Sequence, residues 1–245
     1  MQMELGLDDD LPGLESYTVR ISSRARNVNL RVVPVTGLEV TIPRRFPRRE
    51  IPALLAENRV WIEKQLDKVR RETDPEFLVW PPQVLRLRAV GLTVSVICKE
   101  TNSERVSARW QGDNLLVSGQ LSQRTELLQA ICDALKRKAR QVLLPQLGAL
   151  AREHNLSYKR CAVRGQKTVW GSYSSSGTLS LNYKLLFLPQ DIVKYVLLHE
   201  LAHTRYLDHS AQFWRFLSTL EPTALTLDRA LGDAGKLVPP WLESA

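Results

Sequence analysis

The sequence is short of cysteine and histidine, and it contains no long apolar run. Its three cysteines, Cys98, Cys132 and Cys161, are scattered along 245 residues and odd in number, which argues against the disulfide framework of a small secreted protein. No stretch approaches the roughly 20 apolar residues that span a bilayer. The acidic N-terminus also lacks the charged and apolar leader of a secretory signal. We therefore expect reduced cysteines, no membrane partner and a cytoplasmic protein.

The first half of the chain alternates apolar and polar residues, as half-buried strands do. Apolar residues form 44% of the sequence, enough for one large or two small domains. We expect a disordered tail over residues 1–15 and a β-rich region over 16–120. In that region the pattern predicts strands over 16–21, 28–33 and 38–42, hairpins over 85–98 and 106–118, and one amphipathic helix over 48–71.

The second half, residues 121–245, changes to helical periodicity. Ser122 can cap a long helix, and Pro145 is expected to restart or kink it. A further helix should begin at Pro189. Between these helices the pattern predicts short strands over 159–164 and 178–186. The predicted fold class is therefore α+β, with a mainly antiparallel N-terminal part that holds one helix and a mixed C-terminal domain.

The helix that begins near Pro189 is apolar on almost all sides, which is typical of a buried helix. It nevertheless carries His199, Glu200 and His203. Burying such groups without partners costs roughly 2–7 kcal/mol for a neutral polar group and more for a charge. A bound metal ion would compensate for that cost.

The spacing of these residues assigns a role to each of them. Residues i and i+4 lie on one face of a helix, so His199 and His203 can ligate one ion. Glu200 lies about 100° round the helix and can reach a water on that ion without ligating it. Catalytic zinc usually takes three protein ligands and one water, and His209 is the candidate for the third. The sequence predicts one Zn²⁺ per chain, with Glu200 as the general base.

The charge of the chain is unevenly distributed. The net charge is +8, and eight arginines lie between residues 16 and 49; a second basic run covers 136–140. The excess indicates either an anionic partner for the N-terminal half, such as a nucleic acid, or the solvated face of an ordinary basic protein. The second interpretation is favoured, because aromatic residues do not alternate regularly with these arginines as a stacking platform would require.

The segment 164–214 resembles the core of the YgjP-type metallopeptidase-like family, a group of bacterial predicted metal-dependent hydrolases. The likeness rests on the runs RGQKTVWGSYSSSG and HELAHTRYLDH. The family is related to the SprT and WLM-type zincins, which share His-Glu-x-x-His with a later histidine. The resemblance implies a minimal zincin-like α+β catalytic domain, in which His199, His203 and His209 hold zinc and Glu200 is the catalytic glutamate.

Three positions depart from the pattern of that family. The family usually has Lys-Thr-Arg-Trp-Gly-Ser-Cys where residues 167–173 carry Val169 and Tyr173 in place of the arginine and the cysteine. Asp208 replaces the asparagine that usually precedes the third histidine. Asp208 can either accept a hydrogen bond from an imidazole or cap the next helix, and both interpretations stay open.

The candidate substrate-binding residues come before the metal helix. In zincin-like folds the strand before the active helix borders the cleft, so the resemblance places Arg164, Lys167 and Tyr173 near the metal. There they can hold a peptide backbone or phosphate groups. The alternative for the same loop is structural, with Trp170 as a core anchor and Gly171 as a turn residue.

Three functions are compatible with these observations. The first is a metallopeptidase, because zincin geometry suits a peptide that lies along an edge strand. The second is a nucleotide hydrolase, such as a nucleoside triphosphate pyrophosphatase acting at the same metal site, since members of the resembling family have been linked to nucleotide hydrolysis. The third is a non-catalytic, zinc-stabilised nucleic-acid-binding protein. The oligomeric state cannot be predicted from the sequence.

Overall fold

The computed structural model describes residues 2–6, 16–33 and 37–244. They form an α+β protein whose chain divides into two compact units, Met1–Pro82 (unit 1) and Gln83–Glu243 (unit 2). This division comes earlier than the boundary predicted after residue 120. The two hairpins predicted over 85–118 belong to unit 2, because their strands pack against its long helix.

Unit 1 is a four-stranded sheet with helices on one face. Its elements in chain order are β1 (Gln2–Gly6), β2 (Ser16–Ser22), β3 (Asn29–Val33), β4 (Gly37–Pro43), α1 (Ile51–Glu57), α2 (Arg59–Glu72) and α3 (Pro75–Leu78). The strand order is β1-β2-β4-β3. The sheet is mixed rather than purely antiparallel, because β2 and β4 run parallel.

The strand β1 differs from the disordered tail expected over residues 1–15. Gln2–Gly6 pairs antiparallel with β2, whose backbone N–H and C=O groups would otherwise be unpaired on that side. The remainder of the predicted tail, residues 7–15, lies outside the described residues.

The core of unit 1 lies between the sheet and its first two helices. Val19 of β2 and Val40 of β4 point to the same face and meet Ile51, Leu55 and Ile62 from the helices. The predicted single helix over 48–71 is two helices, and the break falls at the residue between α1 and α2. There Asn58 donates from Nδ2 to the carbonyl of Leu54 at 2.8 Å, so its amide caps the end of α1.

Unit 2 contains two further sheets and four α-helices within the described residues. Its elements are β5 (Val84–Leu87), β6 (Leu92–Glu100), β7 (Ser107–Gln111), β8 (Asn114–Gly119), α4 (Arg124–Glu153), β9 (Arg160–Arg164), β10 (Gly171–Tyr173), β11 (Thr178–Asn182), α5 (Gln190–Ala202), α6 (Ala211–Leu220) and α7 (Ala224–Ala234). A 3-10 helix, Tyr183–Phe187, follows β11.

The first sheet of unit 2 has the order β5-β6-β8-β7 and packs on α4. The two expected hairpins are present, but β6 and β8 pair in parallel and join them into one sheet. The indole of Trp110 donates to the carbonyl of Ala134 at 3.0 Å, and Arg137 donates to the carbonyl of Ala108 at 2.6 Å. The helix α4 continues through Pro145 without the interruption that the sequence predicted.

The second sheet of unit 2 has the order β10-β11-β9 and lies against α5. Strand β10 is antiparallel to β11, and β11 is parallel to β9. The helices α6 and α7 also pack on α5. As the sequence predicted, α5 is buried on almost every side. Among the described residues, no helix is both long enough and apolar enough to cross a membrane.

Candidate metal centre

Three histidine side chains converge where α5 ends. His199 lies in the last turn of α5, His203 follows its last residue, and His209 lies just before α6. One nitrogen from each ring lies within 4.8 Å of the other two. The Nε2 atoms of His199 and His209 are 3.0 Å apart. Two nitrogens bound tetrahedrally to zinc at 2.0–2.1 Å would be about 3.3 Å apart, so this spacing suits a shared ion.

The return of His209 depends on a tight turn after α5. The backbone N–H groups of Arg205 and Tyr206 both donate to the carbonyl of Ala202, which stops the helix and reverses the chain. The side chain of Asp208 accepts a hydrogen bond from the backbone N–H of Ser210 at 3.4 Å. This bond closes a turn before α6, whose N-cap is Ser210, so both roles predicted for Asp208 stay open.

A phenylalanine of α6 supports all three imidazoles, and no sequence pattern marks it as part of the site. The ring of Phe213 is fully buried and stacks on His203 with 4.6 Å between the ring centroids. It also meets the edges of His199 and His209 at about the same separation. Phe213 therefore restricts the orientation of the three rings.

The ring orientation of His203 is set by a backbone carbonyl. Its Nδ1 lies 2.9 Å from the carbonyl oxygen of Tyr206. Because a carbonyl can only accept, Nδ1 carries the proton and the lone pair lies on Nε2. A metal-binding histidine is typically held by such a bond.

His199 is held by a side-chain relay that sequence reasoning missed. The hydroxyl of Tyr195, one turn earlier on α5, lies 3.3 Å from Nδ1 of His199 and donates to Asp228 Oδ1 of α7 at 2.7 Å. Burial raises the pKa of Tyr195, and its hydrogen bond to Asp228 raises it further, so the phenol keeps its proton. Since that proton points at Asp228, the oxygen accepts from His199 Nδ1, and Nε2 again keeps the lone pair.

The imidazoles of His199 and His203 are neutral near pH 7. Burial, followed by the nearby rings of His203 and His209, lowers the pKa of His199 to about 4. Burial also lowers the pKa of His203. Neutral imidazole is the form that ligates a metal, so these rings need not lose a proton before they bind an ion.

Glu200 is an acidic side chain without compensation from the protein. It is 5% exposed, and its Oε2 is buried without a hydrogen-bond partner in the part of the chain that the structure describes. Burial raises the pKa of Glu200 to about 8, because an apolar environment penalises the carboxylate. A buried unpartnered oxygen beside a histidine cluster indicates a group that meets a ligand.

The Glu200 side chain lies directly against the backbone of Gly171. A Cβ on Gly171 would be 2.5 Å from Oε1 and 2.7 Å from Cδ of Glu200. The structural role predicted for Gly171 was a turn, whereas the residue begins strand β10. The glycine is needed there because the backbone of β10 and the carboxyl group approach too closely for any side chain.

The predicted substrate residues fall on different parts of the sheet β10-β11-β9. Tyr173 shares the face of Gly171, which is the Glu200 side, since the two are separated by one residue. Arg164 is exposed and pairs with Asn182. This pair is shifted by one residue along the strands from the set of paired residues that contains Gly171. The register therefore brings Tyr173 towards Glu200 and places Arg164 on the opposite face.

Lys167 is exposed in the loop between β9 and β10. That loop is anchored by the buried amide of Asn182, which donates from Nδ2 to the carbonyls of Gln166 and Val169 at 2.8 and 2.9 Å. The structure brings together His199, Glu200, His203 and His209 as a compact group, whereas Lys167 stays on the solvent side of its loop.

A cysteine of β9 also lies within electrostatic reach of Glu200. Burial, and then the charge of Glu200, raises the pKa of Cys161 to about 11. The thiol is therefore protonated near neutral pH and is neither a nucleophile nor a thiolate ligand there.

A buried helix with two histidines one turn apart, a glutamate beside them and a facing third histidine defines a metallopeptidase-like domain. The family model of the YgjP-like metallopeptidase domain matches residues 26–234, and the chain belongs to this family. No curated protein matches the sequence. Among solved structures, the crystal structure of the metallopeptidase zymogen of Pyrococcus abyssi abylysin is 26% identical with a TM-score of 0.34, and the match covers 37% of this chain and 93% of that one.

Proposed function

We propose that this protein is a zinc-dependent metallopeptidase that holds one Zn²⁺ with His199, His203 and His209 and uses Glu200 as its general base. The observation that carries the proposal is the convergence of three imidazoles beside a buried carboxyl oxygen that has no hydrogen-bond partner among the described residues. Membership of the YgjP-like metallopeptidase family supports the same class of reaction.

The donor set fits zinc by its chemistry. Three imidazole nitrogens that leave one position open are a common catalytic zinc arrangement, whereas calcium and magnesium prefer oxygen ligands. The Nδ1 atoms of His199 and His203 are both engaged in hydrogen bonds within the protein. Their Nε2 lone pairs are thereby directed at the centre of the cluster, as at zinc sites where a hydrogen bond to one ring nitrogen orients the other nitrogen towards the metal.

Glu200 is placed to move a proton. When bound, zinc supplies a water of lowered pKa, from 15.7 to about 7, and a Lewis acid for the substrate carbonyl. The buried Oε2 of Glu200 accepts the proton of the attacking water and then passes it to the departing nitrogen. The contact with Gly171 holds the carboxyl group in one position during both steps.

A peptide is the substrate that the surroundings of Glu200 favour. Strand β10 lies at the edge of its sheet, so one side of its backbone is available to pair with an added strand. Because Glu200 touches β10 at Gly171, a peptide paired along this edge would lie next to the carboxyl group. Tyr173, two residues further along the same face, would then contact a substrate side chain.

Hydrolysis of nucleoside triphosphates at the same centre is the second candidate from the sequence. It rested on the basic excess of the chain, on Arg164 and Lys167 as phosphate ligands, and on the link of the resembling family to nucleotide hydrolysis. The strand register puts Arg164 on the sheet face opposite to that of Gly171, and Lys167 is exposed in its loop. For this reason we favour the peptide over the polyphosphate.

The test is a turnover screen of the zinc-loaded protein against a mixed peptide library and the nucleoside triphosphates. We expect peptide cleavage and a loss of about 10²–10⁴-fold in Glu200→Gln, the usual contribution of a general base. Glu153→Gln, which changes an exposed carboxylate, is the matched control and should keep full activity. Full turnover by Glu200→Gln would contradict the role of Glu200, and phosphate or pyrophosphate release without peptide cleavage would replace the peptide as substrate.

A further inference from the structure

Unit 1 contains a pocket that has no part in the metal centre. The pocket has a volume of about 400 Å³ and is lined by residues from the start of β3 and from the helices α1 and α2: Val28, Asn29, Leu30, Leu54, Asn58 and Trp61. This volume falls within the range of roughly 300–1,000 Å³ typical of small-molecule sites. Strand β3 is an edge strand of its sheet, so the pocket opens at the border of the unit.

An exposed aromatic ring forms one wall of this pocket. Trp61 is 42% exposed although it belongs to a helix whose other face packs into the core. Asn29 and Asn58 add amide groups to an otherwise apolar lining. A flat ring accessible to solvent, together with nearby amides, is what stacking on a base and hydrogen bonding to its edge require.

Two arginines are neighbours of the pocket residues along the chain. Arg26 precedes Val28 by two residues, so their Cα atoms are within about 7 Å. Arg31 follows Leu30 in β3 and therefore points to the opposite face of the sheet. The turn that carries Arg24 and Arg26 is ordered by the hydroxyl of Ser22, which accepts hydrogen bonds from two backbone N–H groups at 3.3 Å. Both of these arginines are exposed.

Residues 16–49 carry a strong excess of positive charge. All eight arginines between residues 16 and 49 are exposed, and Glu39 is the single acidic residue in that stretch of the sequence. A peptide could also pair with the open edge of β3, but a peptide partner does not require this density of positive charge. A chain of phosphates that carries accessible bases requires both the charge and the aromatic wall.

We propose that unit 1 binds single-stranded nucleic acid, with a base stacked on Trp61 in this pocket and phosphates held by Arg24 and Arg26. The site is independent of the metal centre and of the substrate that is hydrolysed there. It answers the objection raised by the sequence, because the aromatic residue among arginines 44–49, Phe46, is packed against the core of unit 1, whereas the fold supplies an accessible ring from helix α2.

The experiment measures the binding of a labelled single-stranded 12-mer to the full-length protein by fluorescence anisotropy over a range of salt concentrations. We expect Trp61→Ala to weaken binding about ten-fold and Trp61→Phe to weaken it less than three-fold, because a smaller ring still stacks. Val60→Ala is the matched control: the neighbouring side chain is 80% exposed and does not line the pocket, so its affinity should be that of the wild type.

The salt dependence tests the arginines separately. In the double variant Arg24→Ser/Arg26→Ser, the slope of log K against log salt should fall by about 1.4, since each phosphate contact on a single strand contributes about 0.7. Arg71→Ser removes an exposed charge at the far end of α2 and should leave the slope unchanged. An equal fall in both variants would show only diffuse attraction and would overturn the site.

Three further outcomes would overturn the proposal. They are an unchanged affinity in Trp61→Ala, binding of a duplex of equal length at least as tight as that of the single strand, and equal binding of a poly-glutamate peptide. Trp61→Phe guards against misfolding of the alanine variant, because it keeps the helix surface. Quenching of intrinsic fluorescence by the bound oligonucleotide should be lost in Trp61→Phe. Glu200→Gln should bind the oligonucleotide like the wild type, which separates this site from nucleotide hydrolysis at the metal centre.

Discussion

The two units of this protein use their ionisable side chains in opposite ways. Unit 1 keeps its eight arginines between residues 16 and 49 in contact with solvent, where their charge acts at long range and is screened by salt. In unit 2, Glu200 and His203 are buried, and their surroundings shift the pKa values of both. Exposed charge attracts a partner, whereas buried ionisable groups are tuned for chemistry.

Removal of a metal ligand should have the largest effect, and it should be confined to unit 2. We expect His209→Ala to lose most of the zinc, because it deletes one of three donor atoms. The loss of zinc affinity should exceed the roughly 10–100-fold that removal of a hydrogen-bond partner of a ligand costs. Metal analysis after gel filtration measures this. His154→Ala, which changes the one histidine outside the cluster, should retain about one zinc per chain. Undiminished zinc in His209→Ala would place the third ligand elsewhere.

A methyl group added at Gly171 should separate the position of Glu200 from metal binding. The new Cβ would overlap the carboxyl group, and a displacement of about 1 Å can cost 10²-fold in rate. We expect Gly171→Ala to lower kcat by about that factor while it retains zinc. Gly232→Ala, where a Cβ meets no atom within 4 Å, should leave kcat unchanged. If Gly171→Ala kept full kcat, the close contact would have no catalytic importance.

Loss of the hydroxyl at Tyr195 should weaken the metal site without emptying it. Tyr195→Phe leaves Nδ1 of His199 without its acceptor and should reduce zinc affinity by about 10–100-fold, as measured by competition with a chelator. Tyr183→Phe removes another buried hydroxyl, which donates to Cys132, and should lower stability without changing zinc affinity. Equal zinc affinity in Tyr195→Phe and wild type would reduce the relay to a packing contact.

The last prediction concerns the stability of the metal-free protein and leaves zinc binding and kcat aside. The pKa of Glu200 is about 8 in the folded state against an ordinary value of 4.5, so folding favours its protonated form, and stability is lost as pH rises from 4.5 through 8. Glu200→Gln abolishes this loss. Its free energy of unfolding should therefore increase relative to that of the wild type by at most about 1.4 kcal/mol per pH unit.

Denaturant unfolding of both chelated proteins at pH 5 and pH 8 measures this difference. His199 and His203 titrate in both proteins, so their contributions to the free energy of unfolding largely cancel in the comparison. A gap between the variants that does not grow with pH would mean that Glu200 is compensated by a partner that the structure does not show.

Local patterns in the sequence predicted much of the fold. The alternation of residues indicated most of the strands, and the apolar surface around His199 and Glu200 indicated a buried helix. The parallel pairings β2–β4 and β6–β8 were not predicted, because pairing direction between strands far apart in the chain leaves no mark in the periodicity of either strand. The break at Asn58 was also missed, since the helical pattern continues on both sides of it.

The four residues proposed to hold zinc and to move the proton follow from their own spacing. The positions of His199, Glu200 and His203 on one helix are dictated by 3.6 residues per turn, and that is a property of the local chain. Only tertiary packing decided that Asp228, Gly171 and Phe213 surround them, and that Trp61 joins Val28 in one pocket. Contacts between distant segments depend on how whole elements pack, and no short stretch of sequence contains that information.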